Sequence, residues 1–262
     1  MTIVAAVKSR DALVLGTDSV TQVVLQASGQ PPQSVKAYSN ATKLFRLGSH
    51  NIAVATFGIG NIDHRSVGGI VLDFADTLQA PVQPSMQDVA EGLANFAGAL
   101  YDRSFSAVPL EQRPVLGFLV GGHSANNPLA EVWDIRFPTL PGTPSRSAQL
   151  RKPDEFGANW RGIELPFSRL HFGVDPRLLE TVVGLGVDAA TATAALGKFQ
   201  SPVVFDSMPI QDTIDFAKYI LSTTISFSTF EIGVPACGGP HQIAVILHRK
   251  GFEWVEEPRF HV

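Results

Sequence analysis

The apolar pattern of this chain alternates between strand-like and helix-like segments in a fixed order, and that order restricts the folds open to it. Strand signals come first. Residues Thr2 to Lys8 and Ala12 to Gly16 flank the charged turn Ser9-Arg10-Asp11, and Leu44 to Leu47 and Ile52 to Phe57 flank Gly48-Ser49-His50-Asn51. Between these pairs, Gln26 to Ser34 holds Gly29, Pro31 and Pro32 and predicts a loop. The period then becomes helical over Val67 to Leu78 and Met86 to Tyr101, where Val89, Leu93, Phe96, Ala97 and Leu100 share a face. Ser85 stands as N-cap of the second helix, and the linker Gln79 to Pro84 carries Pro81 and Pro84.

Strands return at Val115 to Val120 and Leu129 to Ile135, joined across His123 to Pro128 as a hairpin. Phe137 to Gly157 is rich in Pro, Gly and Ser and predicts a long surface loop, with a short strand at Trp160 to Leu165. Pro176 to Leu196 and Met208 to Phe227 predict a second helix pair, and His241 to Leu247 and Phe252 to Val255 close the chain as strands. Strands, two helices, strands, two helices, strands is not the regular alternation of a parallel sheet. It fits an α+β fold in which helix layers cover two packed sheets. The part after the Pro-rich loop has too few strands for a sheet of its own, so residues 1–262 are expected to form a single domain.

Composition removes several classes. Seventeen Phe and a net charge of only −4 exclude a disordered chain. With 20 basic and 24 acidic residues there is no basic excess, so no nucleic-acid partner is expected. Cys237 is the single cysteine, which excludes an intrachain disulfide framework and a Cys-rich zinc site. No stretch approaches the roughly 20 apolar residues that span a bilayer, and the N-terminal run reaches charge at Lys8, too soon for a signal peptide. The expectation is a cytoplasmic protein with no membrane association. The seven histidines show no metal-ligand spacing, and Gly58-Ile59-Gly60 lacks the later Gly of a dinucleotide loop, so no cofactor is expected.

Thr2 is the residue with the most chemical information. Initiator Met is normally trimmed ahead of a small second residue, which would leave threonine first. An N-terminal Thr carries a hydroxyl beside an amine whose ordinary pKa is about 7.7–8.0, low enough to act as a base at neutral pH. A β-run that begins at Thr2 ties this terminus into a sheet. The next strand, Leu13-Val14-Leu15-Gly16-Thr17-Asp18-Ser19, ends on an acid; Thr42-Lys43-Leu44-Phe45 and Ala55-Thr56-Phe57-Gly58-Ile59-Gly60-Asn61 follow.

In these segments the sequence resembles the proteasome β-type family of N-terminal-nucleophile (Ntn) hydrolases, as a divergent bacterial-type member. The spacing from Thr2 to Asp18 matches the family without a gap. The spacing to Lys43 needs an insertion, which falls in the Pro/Gly loop. The hairpin Leu116 to Asp134 and the turn Ala236-Cys237-Gly238-Gly239 extend the resemblance over roughly residues 2–248. It implies a four-layer αββα sandwich of two antiparallel sheets flanked by helix pairs. It implies that Thr2 is the nucleophile, that Lys43 lowers the pKa of its hydroxyl, that Asp18 holds Lys43 charged, and that the N–H of Gly58 stabilises the oxyanion. It further implies a homo-oligomer, a peptide or protein substrate, and an ATP-dependent unfoldase as a partner to be sought.

The sequence also departs from that family. Val234 and Cys237 stand where the family has Asp and Ser supporting the amine, with Glu231 the nearest alternative carboxylate. Gly173 is the nearest match to a second family position and has no serine beside it. Asn159-Trp160-Arg161-Gly162 has no counterpart. Cys237, with His241 four residues on, reads as a thiol nucleophile or as a small packing residue, and packing is the commoner role. The readings left open are a threonine peptidase, a catalytically inactive scaffold of the same fold, and a small-molecule amidase or acylase.

Overall fold

The computed structural model describes residues 2–25, 33–78, 83–139 and 145–258. One five-stranded antiparallel sheet contains β1 (Ile3–Lys8), β2 (Leu13–Thr17), β12 (Gly157–Gly162), β13 (Gln242–Leu247) and β14 (Gly251–Glu256), in the order β12-β1-β2-β13-β14. The other contains β5 (Leu44–Arg46), β6 (Ile52–Gly58), β9 (Leu116–Gly122), β10 (Glu131–Phe137) and β11 (Ser147–Arg151), in the order β11-β10-β9-β6-β5. The short pair β7 (Asn61–Ile62) and β8 (Arg65–Ser66) leads into α1 (Val67–Thr77).

Alternation along the strands explains the stacking. On β1, Val4 and Ala6 face the other sheet, where they meet Leu44, Ala55 and Leu119. Ile3, Ala5 and Val7 face outward and pack against α6 (Ile210–Phe230) and α3 (Leu165–Phe172) through Ile214, Ala217, Leu221 and Phe167. The second sheet turns Val54, Phe118 and Ile135 outward onto α1 and α2 (Met86–Ser104). A strand apolar on both faces loses its polar–apolar alternation, so β1 and β2 read as continuous hydrophobic runs. The result is a four-layer αββα sandwich of two antiparallel sheets, as the sequence resemblance implied. Ser85 caps α2 as expected, its Oγ accepting the N–H of Asp88 at 3.0 Å.

Several expectations need correction. Gln33 and Ser34 are not loop: they open β4 (Gln33–Tyr38), which pairs with β3 (Thr21–Leu25), while residues 26–32 lie outside the described residues. Val23, Val24 and Val35 in this hairpin are exposed, so it shows no core-facing alternation to read. Residues 137–157 are not one loop, because Ser147–Arg151 pairs with β10 as an edge strand; residues 140–144 lie outside the described residues. This edge strand, Ser-Ala-Gln-Leu-Arg, has only Ala148 and Leu150 as apolar content to betray it. The strand expected at Trp160 to Leu165 ends at Gly162, and Leu165 begins α3 with Pro166 in its first turn.

Pro176 to Leu196 is not a single helix. It divides into α4 (Leu178–Gly184) and α5 (Ala189–Gly197). Gly186 adopts φ +92 between them, and the Asp188 carboxylate caps α5 by accepting the N–H of Thr191. Only Ala192 of these two helices is buried, so the helix that joins α6 in covering the first sheet is α3.

Candidate functional site

The β1–β2 hairpin builds the first half of the site. Val4 pairs with Thr17 across the ladder, which brings Asp18 beside Ile3. Ile3 N–H donates to Asp18 Oδ1 at 3.2 Å, and Asp18 N–H returns a bond to the Ile3 carbonyl at 3.2 Å. Asp18 Oδ2 accepts the N–H groups of Val20 and Gly238, each at 3.1 Å. The carboxylate is fully buried and accepts these three backbone N–H groups.

Lys43 comes from the other sheet. It precedes β5, and its carbonyl accepts the N–H of Thr56 at 2.9 Å. Its Nζ donates to Thr2 Oγ1 at 2.7 Å and to Asp18 Oδ1 at 2.8 Å. Burial pulls the ammonium below the ordinary lysine value, and Asp18 opposes that shift by charge and by hydrogen bond. An ammonium in contact with a hydroxyl oxygen stabilises the alkoxide that forms when that hydroxyl loses its proton. The structure therefore brings Thr2, Asp18 and Lys43 into one bonded group. Gly58, at the end of β6, joins them as part of the wall of the same cleft, which has a volume of about 950 Å³. It adopts φ +93, and a Cβ there would overlap the Val115 carbonyl, so the backbone conformation requires glycine.

Sequence reasoning missed two supports. Gln242 anchors Lys43 through its backbone. Gly162, at φ +91, lies against Thr2, and Ile163 N–H donates to the Thr2 carbonyl at 2.9 Å. The tetrapeptide 159–162 without a family counterpart is thus the edge strand that fastens the first residues of β1. Gln242 opens β13, and its signal was a glutamine at the head of an otherwise apolar strand.

The altered positions also have clear places. Val234 is 40% exposed, and Glu231 is exposed at the C-cap of α6, so it does not replace the missing carboxylate from inside the core. Cys237 is buried, and burial followed by the charge of Asp18 pushes its thiol up to about 11. That suits packing, not nucleophilic attack. His241 faces Glu256 at 3.7 Å. Gly173 is the left-handed C-cap of α3. Trp133 and Trp160 are buried in the two helix-facing cores, and Trp254 lines the cleft.

No family model and no curated protein matches the chain. Solved structures do. The Anbu complex from Pseudomonas aeruginosa, described as a helical assembly, superposes with a TM-score of 0.56 at 15% identity, covering 98% of this chain and 88% of that one. A Gly-1 mutant of Anbu from Hyphomicrobium sp. strain MC1 gives 0.57 at 12% identity, covering 98% and 87%. This chain shares the Anbu fold. At these identities the likeness is one of architecture, and it spans nearly all of both chains. Among the described residues no helix is long and apolar enough to cross a membrane. Among them, too, no three His, Cys, Asp or Glu side chains group as metal ligands.

Proposed function

We propose that this chain is an amide hydrolase whose nucleophile is the hydroxyl of Thr2, set free as the first residue by removal of Met1. The observation that carries this reading is the pair of bonds from Lys43 Nζ, to Thr2 Oγ1 at 2.7 Å and to Asp18 Oδ1 at 2.8 Å. The Thr2 amine takes the hydroxyl proton, and Oγ1 attacks the amide carbonyl. The tetrahedral oxyanion is held by the N–H of Gly58. Collapse breaks the C–N bond, the amine leaving group takes the proton, and an ester to Thr2 remains. Water, deprotonated by the amine, then releases the acid and restores the hydroxyl. A peptide or protein is the expected substrate class, and a small amide is the alternative within the same chemistry.

A second reading, a scaffold of this fold without turnover, is favoured by the side of the site that would serve the amine. An exposed Val234 and a buried thiol stand where the resembling family has Asp and Ser. Thr2, Lys43 and Asp18 would then be a buried ion-pair cluster that holds β1 to β5.

Intact mass before and after treatment with a peptide epoxyketone separates the two. That reagent needs both the free amine and the hydroxyl of an N-terminal Thr to form its ring adduct. Loss of Met with an adduct that disappears in Thr2→Ala supports the hydrolase. Loss of Met with no adduct, and no cleavage of peptide or small amides, supports the scaffold. Under either reading self-association is expected, since the Anbu complex from Pseudomonas aeruginosa forms a helical assembly and Phe230 and Ile232 stand exposed here. Light scattering that gives the monomer mass at every concentration would remove it. An ATP-driven unfoldase partner rests on the sequence resemblance alone.

A further inference from the structure

The charges around the cleft bear on what it accepts. Among its described lining residues the charged side chains are Lys43 and Arg46, and none is acidic. The segments outside the described residues, 26–32, 79–82, 140–144 and 259–262, contain no Asp or Glu. The Lys43 charge is balanced by Asp18 at 2.8 Å. Among the described residues Arg46 has no such balance: the partner bonded to it is a neutral carbonyl, that of Ser49, at 3.2 Å from Nη2. Its guanidinium lies 5.7 Å from the centre of the Phe252 ring, a contact that orients the planar group without neutralising it. A guanidinium has five N–H donors, so most remain for water or a ligand.

Arg46 is also fixed in place by the fold. It ends β5, three residues after Lys43, and pairs with Ala53 of β6. The strand that delivers Lys43 to Thr2 therefore delivers a second cation to the wall of the same cleft. Trp254 and Leu72 add apolar surface there.

We infer that the cleft selects substrates carrying a carboxylate, an acidic side chain near the scissile amide, through Arg46. This rests on the reading of the cleft at Thr2 as a substrate site. Arg46 is a specificity residue. An acidic group meets the unbalanced Arg46 guanidinium, whereas a cationic group meets that same positive charge beside a Lys43 already paired with Asp18.

The test uses peptide amides that differ only in Glu, Gln or Lys beside the scissile bond. Their aminocoumarin derivatives report turnover by the untreated protein. Labelled versions report binding to Thr2→Ala by fluorescence anisotropy. The expected order is Glu, then Gln, then Lys, with about fivefold between successive members at low salt, as for an exposed ion pair. Arg46→Gln should flatten that order, and Arg46→Glu should invert it, while the epoxyketone-reactive Thr2 is left in place. Equal binding of the three peptides to Thr2→Ala overturns the inference, as does an acidic preference that survives Arg46→Glu. Charge-ordered binding without turnover of any peptide supports the inference and removes the hydrolase reading instead.

Discussion

Gln242 Oε1 accepts the backbone N–H of Lys43 at 2.9 Å and that of Leu44 at 3.1 Å, across 199 positions of sequence for the first of these bonds. Its Nε2 donates to the Ala41 carbonyl at 2.7 Å. One buried amide at the head of β13 thereby fixes the backbone on both sides of Lys43. The lysine's reach to Thr2 starts from an anchored Cα instead of a free loop.

Gln242→Leu should keep the volume and strand of this position while leaving buried groups of 41–44 unpaired. A loss of about 1–3 kcal/mol of stability is expected in urea unfolding, because unsatisfied buried polar groups carry their full desolvation cost. Turnover should fall together with it. Unchanged stability and turnover would mean that β5 holds Lys43 without the amide.

Asp18→Asn should cost about 3–5 kcal/mol, since it leaves the buried Lys43 ammonium without its counter-charge. The pH dependence has a definite sign. Burial already lowers the Lys43 pKa, so the unfolded chain binds more protons between the folded value and 10.5, and stability contributed by this group rises with pH over that window. Without Asp18 the lowering is greater, and the gap between wild type and variant should shrink as pH rises towards 10.5. A gap that is constant from neutral pH upward would contradict this account.

Lys8 is a second buried lysine, at the far end of β1. Its Nζ donates to the carbonyls of Lys152 and Pro153 at 2.5 and 2.8 Å, and burial lowers its pKa to about 8. Its unfolding contribution should therefore increase between about pH 8 and 10.5, where the unfolded lysine is still protonated and the folded one is not. Comparing urea midpoints of wild type and Lys8→Met across that range isolates the effect. Parallel curves would place the folded pKa at its ordinary value.

Cys237 should resist iodoacetamide at pH 8 in the native protein and react fully in urea, read by mass. Its thiol is raised from 9.0 to about 11, so the reactive thiolate is scarce in the folded state. The same shift means that the folded state gains from the protonated thiol below pH 9 and loses that contribution as pH climbs to about 11. Rapid native alkylation would show an accessible, activated thiol.

Gly58→Ala should lower stability by about 1–3 kcal/mol, because the variant must adopt positive φ and displace the Val115 carbonyl. If the hydrolase reading holds, turnover should fall further than stability explains. A variant with wild-type Tm would show that the β6 turn can relax.

What the sequence determined by itself was local. Continuous apolar runs placed β1, β2, β6 and β9, helical spacing placed α1 and α2, and Ser85 marked the start of α2. The short turn at Ser9–Asp11 sets the β1–β2 register that puts Asp18 beside Ile3, while the grouping of Thr2, Asp18 and Lys43 was expected from the family resemblance and not from any local pattern. Tertiary structure decided the rest. Lys43 reaches them only because the two sheets stack, and Gln242 and Gly162 act on the site from β13 and β12, whose pairing no local pattern encodes. The exposed hairpin β3–β4 has no core-facing alternation to show, and the edge strand β11 offers only Ala148 and Leu150, of which Leu150 packs half-buried against the inter-sheet core. Helical spacing continues across Gly186, so the break shows in the sequence only as Gly184-Leu185-Gly186, which reads equally as a kink or a close packing point. Apolar periodicity records which residues meet the core. It does not record which strands meet each other, and this site is made where they meet.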